Sequence, residues 1–273
     1  MQLARLPILC RDSFQLPTHF DMDVQPVTNG LTPQQQAAYD EQGFVIVENL
    51  MSDAECDRFV DHMVALLDGS KELDGFAPRT IGERGRTHNQ HTYDFLALEY
   101  LLLPQLQAPL RDCLGGDEAE GIQTMYFWEG SEQRRHQDQY YLPACISAWL
   151  AFMDVDENNG TIFVQPGSHK NRLLTQADFQ EGGEFEGWEY NDAVDEQAKR
   201  NALLEVPVQV SKGSVVFFDG VLVHRGGPIL QEGSDRHVLA NHYIPYGFDD
   251  WPHRSWTRHA FDGRVRRHPE PTD

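Results

Sequence analysis

The residues best suited to chemistry in this chain are two histidines and one aspartate. His136 and Asp138 are two positions apart, and His224 follows much later, each in an apolar, strand-like context. Two imidazoles and one carboxylate can occupy one face of an octahedral ferrous ion and leave three positions open, as in non-haem Fe(II) oxygenases. Side chains at i and i+2 of a strand point to one face, so His136 and Asp138 are predicted to share an interior. A second such motif, His19-Phe20-Asp21, lacks the surrounding alternation and is interpreted as a chance match.

Runs rich in β-forming residues surround this motif and predict an antiparallel sheet. They cover residues 121–128, 146–153, 161–164, 203–210, 214–218 and 237–243. Asn159-Gly160 is typical of a tight hairpin turn and is expected to join the second run to the third. Arg236 stands at the start of the last run, and a hairpin is expected to bring it close to His224.

The N-terminal part of the chain carries helix signals. Thr32-Pro33 predicts a helix start and Gly43 its end, while Ser52 and Glu55 form a capping box before an amphipathic stripe. A further helical region covers residues 94 to 115 and is interrupted at Pro104. We expect these helices to pack on the sheet.

Several motifs occur in a characteristic order over roughly residues 40 to 245, and together they resemble the phytanoyl-CoA dioxygenase family of Fe(II)/2-oxoglutarate oxygenases. The motifs are Gly43-Phe44-Val45-Ile46-Val47, His136-Gln137-Asp138, Ala148-Trp149, Asn159-Gly160, Pro166-Gly167-Ser168-His169-Lys170, and Phe217-Phe218 leading to His224 and Arg236. The resemblance implies a mainly β fold with flanking helices, namely a double-stranded β-helix, or jelly-roll, of cupin-like type.

The resemblance also implies roles for individual residues. His136, Asp138 and His224 would bind Fe(II). Arg236 would pair with the distal carboxylate of the cosubstrate 2-oxoglutarate, because a guanidinium offers two parallel donors to one carboxylate. Trp149 would pack along the cosubstrate.

One position departs from the family pattern. Many relatives carry Ser or Thr two residues after the distal histidine, whereas Gly226 follows His224 here. A water, Tyr126 or Gln123 could supply the missing hydrogen bond to the cosubstrate. The retained Asp138 argues against a halogenase, since related halogenases replace this carboxylate.

The implied activity is that of a 2-oxoglutarate-dependent dioxygenase that consumes O2 and releases succinate and CO2. Hydroxylation of an unactivated C–H in a small polar metabolite or natural-product intermediate is the preferred reaction, while desaturation, ring formation and epimerisation stay open. Two alternatives are a metal-dependent cupin-like isomerase or hydrolase without 2-oxoglutarate, and a non-catalytic binding module of the same fold. Arg236 argues against the first alternative, and the intact metal triad argues against the second.

Four further residues are candidates for substrate contact. Tyr140 points inward if the strand continues past Asp138, and His88 lies in a polar cluster that could reach the mouth of the barrel. Residues 171–200 interrupt the barrel and are expected to form a lid, with Trp188 and Tyr190 either touching substrate or anchoring the loop.

Composition limits the partners. The net charge of −21 opposes binding to nucleic acid or an anionic membrane, and it weakly disfavours a coenzyme A thioester. The sequence contains no apolar stretch of about 18 residues. We therefore expect a cytoplasmic monomer or homodimer with free cysteines and a small-molecule substrate.

The length fits a single oxygenase domain over residues 1–273. Within it we expect helical support over about 30–115, a barrel core over 120–245 with the insertion 171–200, and a C-terminal arm over 246–273.

Overall fold

The protein is described by a computed structural model that covers residues 29–77, 85–129 and 133–267. The His19-Phe20-Asp21 motif and the first part of the N-terminal region lie outside these ranges. Ten strands are present within them: β1 (Phe44–Val47), β2 (Ala119–Phe127), β3 (Ile146–Ala151), β4 (Ile162–Val164), β5 (Val206–Pro207), β6 (Val215–Asp219), β7 (His224–Gly226), β8 (Val238–Pro245), β9 (Arg258–Ala260) and β10 (Val265–Arg266).

The strands form two antiparallel sheets. The larger sheet has the order β1-β6-β3-β8-β2-β9-β10, and the smaller one has the order β5-β4-β7. This arrangement is the double-stranded β-helix that the sequence led us to expect, with helices outside the larger sheet.

Five helices accompany the strands in the described ranges: α1 (Pro33–Gln42), α2 (Asp53–Leu67), α3 (Phe95–Leu101), α4 (Pro104–Cys113) and α5 (Tyr190–Asn201). The expected capping signals are confirmed. The Thr32 side chain accepts from the backbone of Gln35 at the start of α1, and Gly43 ends that helix with a φ of 81°. Ser52 and Glu55 form the capping box of α2. None of the helices in the described part of the chain combines the length and apolar character that a membrane span requires.

The larger sheet separates two hydrophobic clusters because successive side chains of its strands alternate between faces. On β2, Tyr126 packs among α2 and α3, whereas Phe127 faces the interior between the two sheets. On β8, Leu239 likewise packs on the helical side, and Val238 faces the interior between the sheets. The interior face therefore carries the side chains that can surround a bound metal.

Two expectations about strand pairing were wrong. β3 pairs with β6 and β8, while β4 pairs with β5 and β7, so Asn159-Gly160 does not close a hairpin between them. His224 on β7 and Arg236 before β8 likewise belong to different sheets. In both cases the chain crosses from one sheet to the other, which local turn signals do not reveal.

The C-terminal arm completes the larger sheet. β9 pairs with β2, and Arg258 lies 3.3 Å from Glu120 in a fully buried ion pair. The part of the arm up to residue 267 therefore covers the edge of β2 within the same chain.

Candidate metal centre

His136, Asp138 and His224 lie together in the interior between the sheets. Asp138 Oδ1 is 3.4 Å from His136 Nε2 and 3.7 Å from His224 Nε2, and one ligand atom of each residue lies within 4.8 Å of the others. Adjacent ligands bound at about 2.1 Å and at right angles would be about 3 Å apart. All three side chains are buried, so the cluster has the spacing and the surroundings of a facial metal triad.

The backbone that presents the triad is not the regular strand that the sequence suggested. His136 forms an isolated bridge with His224, in which each backbone N–H donates to the other residue's carbonyl at 2.9 and 3.2 Å. After this bridge the chain turns into a short 3-10 helix over Asp138–Tyr140. The turn brings the Asp138 carboxylate back toward the two imidazoles, while the i and i+2 rule for strands does not apply.

Hydrogen bonds to the far side of each imidazole fix which nitrogen faces the metal position. His136 Nδ1 lies 2.8 Å from the carbonyl of Arg134, and His224 Nδ1 lies 2.9 Å from the carbonyl of Leu222. A carbonyl only accepts, so Nδ1 carries the proton and the Nε2 lone pair is available to a metal. Burial, together with the neighbouring His136, lowers the pKa of His224 to about 4, which keeps the imidazole neutral at physiological pH.

The second oxygen of Asp138 is held by residues outside the triad. Ser147 Oγ donates to Asp138 Oδ2 at 2.7 Å, and His242 Nε2 lies 3.4 Å from the same oxygen. Burial alone would raise the pKa of Asp138, but the nearby imidazoles of His224 and His242 hold it well below its ordinary value. The carboxylate is therefore ionised and directs Oδ1 toward the histidines.

Arg236 lies in the same pocket and has an unusual environment. Its side chain is 1% exposed, and Nη1 donates to the carbonyl of Gly160. Within the described residues, Nε has no hydrogen-bond partner and no carboxylate lies within ion-pair distance. The guanidinium carbon instead lies 5.2 Å from the ring of Phe127 and 6.0 Å from that of Trp149. Burial lowers the pKa of Arg236 to about 10, so it remains charged at neutral pH.

These residues fit the cofactors that the resemblance implied. A buried guanidinium with a free donor calls for an anion, and 2-oxoglutarate would supply its distal carboxylate. Most other side chains that line the pocket with the triad and Arg236 are apolar, and an apolar lining helps to exclude water from a reactive site. Its apolar side chains are Met125, Phe127, Trp149, Ile162, Phe218 and Ala240.

Three polar residues of the site were missed or undervalued in the sequence. Gln133 Nε2 lies 3.1 Å from His136 Nε2, and Gln133 lines the pocket beside Gly226. Gln133 is thus a polar side chain of the pocket that the sequence gave no reason to select. His242 also lines the pocket. Ser147 gave no signal, because a serine inside an apolar strand has many possible roles.

Tyr126 and Gln123 do not lie where the missing hydroxyl would be. Tyr126 faces the helices, and its hydroxyl hydrogen bonds with His237 Nδ1 at 2.5 Å. Gln123 is the register partner of His242, which in turn is the register partner of Ser147, so Gln123 lies at the level of Ser147 and not at that of Arg236. The side-chain amide of Gln123 contacts His88 Nε2 at 3.1 Å. The alternation of β2 turns residue 126 outward, and residue 123 lies in the middle of the strand, four positions from residue 127.

The four candidate substrate contacts also lie outside the pocket wall. Tyr140 turns away with the 3-10 helix and stacks on Tyr190, with ring centroids 3.8 Å apart. Trp188 is 49% exposed and packs edge-on against Phe185. His88 lies half-buried behind Gln123. The insertion packs on the outer side of the metal-binding segment, which fits the anchoring role that the sequence left open for Tyr190 and Trp188, and contact of any of the four residues with substrate stays a prediction.

A double-stranded β-helix that encloses a His-Asp-His cluster and a buried arginine defines the class of Fe(II)- and 2-oxoglutarate-dependent oxygenases. Residues 39–238 match the family model for phytanoyl-CoA dioxygenase (PhyH), and the chain belongs to this family. It is therefore a 2-oxoglutarate-dependent dioxygenase that uses Fe(II), 2-oxoglutarate and O2.

Individual relatives agree with this assignment. The peroxisomal phytanoyl-CoA dioxygenase of Rattus norvegicus is 29% identical over 246 residues, which cover 79% of this chain and 69% of that protein. Among solved structures, EctD from S. alaskensis with 2-oxoglutarate and 5-hydroxyectoine has a TM-score of 0.63 at 19% identity, covering 81% of each chain. The carbocyclase SnoK from nogalamycin biosynthesis has a TM-score of 0.61 at 20% identity, covering 79% of this chain and 84% of that one. The two structural likenesses concern the fold.

Proposed function

We propose that the protein hydroxylates an unactivated C–H of a small polar metabolite or natural-product intermediate. Iron would be held by His136, Asp138 and His224, and 2-oxoglutarate would be anchored by Arg236 and flanked by Trp149. The observation that carries the proposal is Arg236, a fully buried cation in the same pocket as the triad and without a carboxylate partner among the described residues.

Arg236 and the triad each argue against one of the two alternatives. A cupin-like isomerase or hydrolase without 2-oxoglutarate would have no use for a buried arginine beside its metal, and leaving that charge unpaired costs several kcal/mol. A non-catalytic binding module would have no need for two imidazoles with fixed tautomers around one carboxylate. Together, the triad and the arginine match a metal with a dicarboxylate cosubstrate.

The protein's own residues prepare the reaction in three ways. Arg134 and Leu222 carbonyls hold the two imidazoles with Nε2 forward, and Ser147 fixes the carboxylate. Arg236 would pair with the distal carboxylate of 2-oxoglutarate and so orient the cosubstrate. The apolar wall excludes water, so the substrate C–H is the available target.

The overall reaction balances without any further reductant. One 2-oxoglutarate and one O2 convert R–H into R–OH, with one oxygen atom entering the product and the other entering succinate as CO2 leaves. O2 is the oxidant, R–H and 2-oxoglutarate each supply two electrons, and iron held by the triad would activate the O2. Substrate position then decides whether the outcome is hydroxylation or a related oxidation.

Charges near the site support a small polar substrate over a coenzyme A thioester. A second cavity of about 300 Å³ adjoins the iron pocket through Gln133 and Gly226, and three arginines line it. Each of them already pairs with acidic side chains: Arg134 with Asp192 and Asp195, Arg135 with Asp195 and Glu205, and Arg225 with Glu205. The phosphates of coenzyme A would have to displace these carboxylates. The solved structures of similar fold concern 5-hydroxyectoine and a nogalamycin pathway, which are small-molecule chemistries.

A product screen tests this proposal. Wild-type protein with Fe(II), 2-oxoglutarate and O2 is incubated with small polar metabolites, natural-product intermediates and acyl-CoA thioesters, and succinate and product masses are measured. The proposal predicts substrate-dependent succinate together with a product that gains one oxygen atom from the first two groups, and neither from an Asp138→Ala control. Preferred oxidation of an acyl-CoA would overturn the substrate class, while a product that has lost two hydrogens would replace hydroxylation by desaturation or ring formation.

We further propose that the chain works in the cytoplasm as one oxygenase domain, as a monomer or homodimer, without nucleic-acid or membrane partners. The net charge of −21 supports the absence of anionic macromolecular partners. Light scattering coupled to gel filtration tests the oligomeric state, and a trimer or larger assembly would contradict it.

A further inference from the structure

Gln137, the residue between the two neighbouring candidate ligands, is the centre of a buried hydrogen-bond network. It has no exposed surface. Its backbone N–H donates to the Tyr190 hydroxyl at 2.9 Å, and the same hydroxyl donates to the Gln137 carbonyl at 3.2 Å. A phenol can accept one hydrogen bond while it donates another, so one side chain satisfies both backbone groups of this residue. Tyr190 thereby fixes the peptide units on either side of Gln137, which lead to His136 and Asp138.

The Gln137 side chain extends this network to the third candidate ligand. Its Nε2 donates to the carbonyl of Val221 at 2.9 Å, in the turn that leads to His224. The same nitrogen donates to Arg172 O at 3.2 Å, and Oε1 accepts from Leu174 N at 3.0 Å. Gln137 thus ties both metal-binding segments to the start of the insertion 171–200.

Helix α5 of the insertion adds contacts to the outer side of the same segment. Tyr190 is its first residue and stacks on Tyr140, and Asn191 Nδ2 donates to the Arg135 carbonyl at 2.8 Å. Asp195, one turn further along the helix, lies 2.8 Å from the guanidinium of Arg135. The insertion therefore holds the chain from Arg135 to Tyr140 from behind, away from the pocket.

We infer that the insertion positions the metal ligands through Tyr190 and Gln137. This inference rests on the proposed assignment of His136, Asp138 and His224 as iron ligands. Tyr190 is a positioning residue, since it acts on the ligands through the backbone of Gln137 and lies outside the pocket. Partners of this kind, which orient ligands without touching the metal, are worth about 10- to 100-fold in metal affinity.

Removal of a single hydroxyl tests the inference. Tyr190→Phe keeps the ring and its stacking but loses both hydrogen bonds to Gln137. The matched control is Tyr243→Phe, because Tyr243 is a fully buried tyrosine whose hydroxyl also donates to a backbone carbonyl, that of Leu101 at 2.7 Å, on the helical side of the larger sheet. The readouts are the dissociation constant for Co(II) or anaerobic Fe(II), the visible spectrum of bound Co(II), and the thermal unfolding midpoint.

Both variants are expected to unfold at somewhat lower temperature, because each loses hydrogen bonds from its hydroxyl. Only Tyr190→Phe is expected to weaken metal binding, by about tenfold or more, and to change the Co(II) spectrum. Equal metal affinity and an unchanged spectrum in Tyr190→Phe would overturn the inference. Asn191→Ala, which removes a half-buried contact of the same helix, is the second variant if Tyr190→Phe fails to fold, and it should weaken metal binding in the same direction.

The same titration separates this inference from the proposed function. His136→Ala should lose the metal altogether if the triad assignment is right. Loss in His136→Ala with unchanged binding in Tyr190→Phe would refute only the positioning role. Retention of the metal in His136→Ala would instead refute the assignment of the site.

Discussion

Arg236→Met removes the buried cation and leaves an unbranched apolar side chain in its place. The structure predicts a selective loss of 2-oxoglutarate binding, because Arg236 lies in the pocket without a carboxylate partner among the described residues. Removal of one partner from a buried charge pair costs about 3–5 kcal/mol. Since about 1.4 kcal/mol corresponds to a factor of ten, the KM for 2-oxoglutarate should rise roughly a hundred- to a few thousand-fold.

Thermal unfolding gives an independent measure of the same interaction. With Fe(II) under anaerobic conditions, 2-oxoglutarate at 100 times its Kd should stabilise the wild type by about 2.7 kcal/mol. A chain of this length gains about 2 °C per kcal/mol, so the expected shift in Tm is about 5 °C. Arg236→Met should show no shift at the same concentration. Without 2-oxoglutarate it should be at least as stable as the wild type, because it no longer buries an unpaired charge.

Arg225→Met is the control for this experiment. Arg225 is another arginine near the pocket, but it pairs with Glu205 at 2.7 Å and stacks over Phe163. Its replacement should leave the 2-oxoglutarate-dependent shift in place. An unchanged KM for 2-oxoglutarate and an unchanged Tm shift in Arg236→Met would refute the reasoning. A raised KM together with a lost Tm shift in Arg225→Met would move the carboxylate site to Arg225.

Three further predictions concern the triad, its protonation and the outer face of β2. His136→Ala, Asp138→Ala and His224→Ala should each lose iron and all substrate-dependent succinate, as metal analysis and turnover will show; full activity in any of them would exclude that residue. The pKa of His224 is lowered from 6.5 to about 4 on folding, so the unfolded chain binds the extra proton first, and stability should fall as the pH drops from about 6.5 to about 4. Urea unfolding at several pH values should show that the free energy of unfolding falls less steeply with decreasing pH in His224→Gln than in the wild type. Equal pH dependence in the two proteins would contradict the lowered pKa of His224. Tyr126→Phe should lose about 1 kcal/mol of unfolding free energy with its contact to His237 but keep the KM for 2-oxoglutarate; a raised KM would return Tyr126 to the cosubstrate site.

Much of the fold followed from local signals in the sequence. Thr32, Gly43, Ser52 and Glu55 marked the ends of helices because capping depends on neighbours in the chain. Most strand positions followed from alternating apolar residues in the same way. The pairing around Asn159-Gly160 could not be predicted, since a turn signal does not say whether the next strand stays in the same sheet.

The candidate site was predictable where residue type alone limits the chemistry. The histidine, aspartate and arginine positions lie in one pocket, although their roles there stay predictions. The surrounding contacts depended on how the backbone bends. The 3-10 helix after Asp138 turned Tyr140 outward, and only the folded chain shows that Tyr190 reaches Gln137 from behind. Ser147 gave no warning because its significance comes from a carboxylate on a different segment.

The most direct test of the central claim is an anaerobic titration of the apo-protein with Fe(II) and then 2-oxoglutarate, followed by visible absorption. Chelation of iron by 2-oxoglutarate produces a charge-transfer band, and the experiment needs no knowledge of the substrate. We predict a band in the wild type, its loss in His136→Ala, and a need for far more 2-oxoglutarate in Arg236→Met. Bound iron that gives no band at saturating 2-oxoglutarate would contradict the account and favour a metal enzyme that works without this cosubstrate.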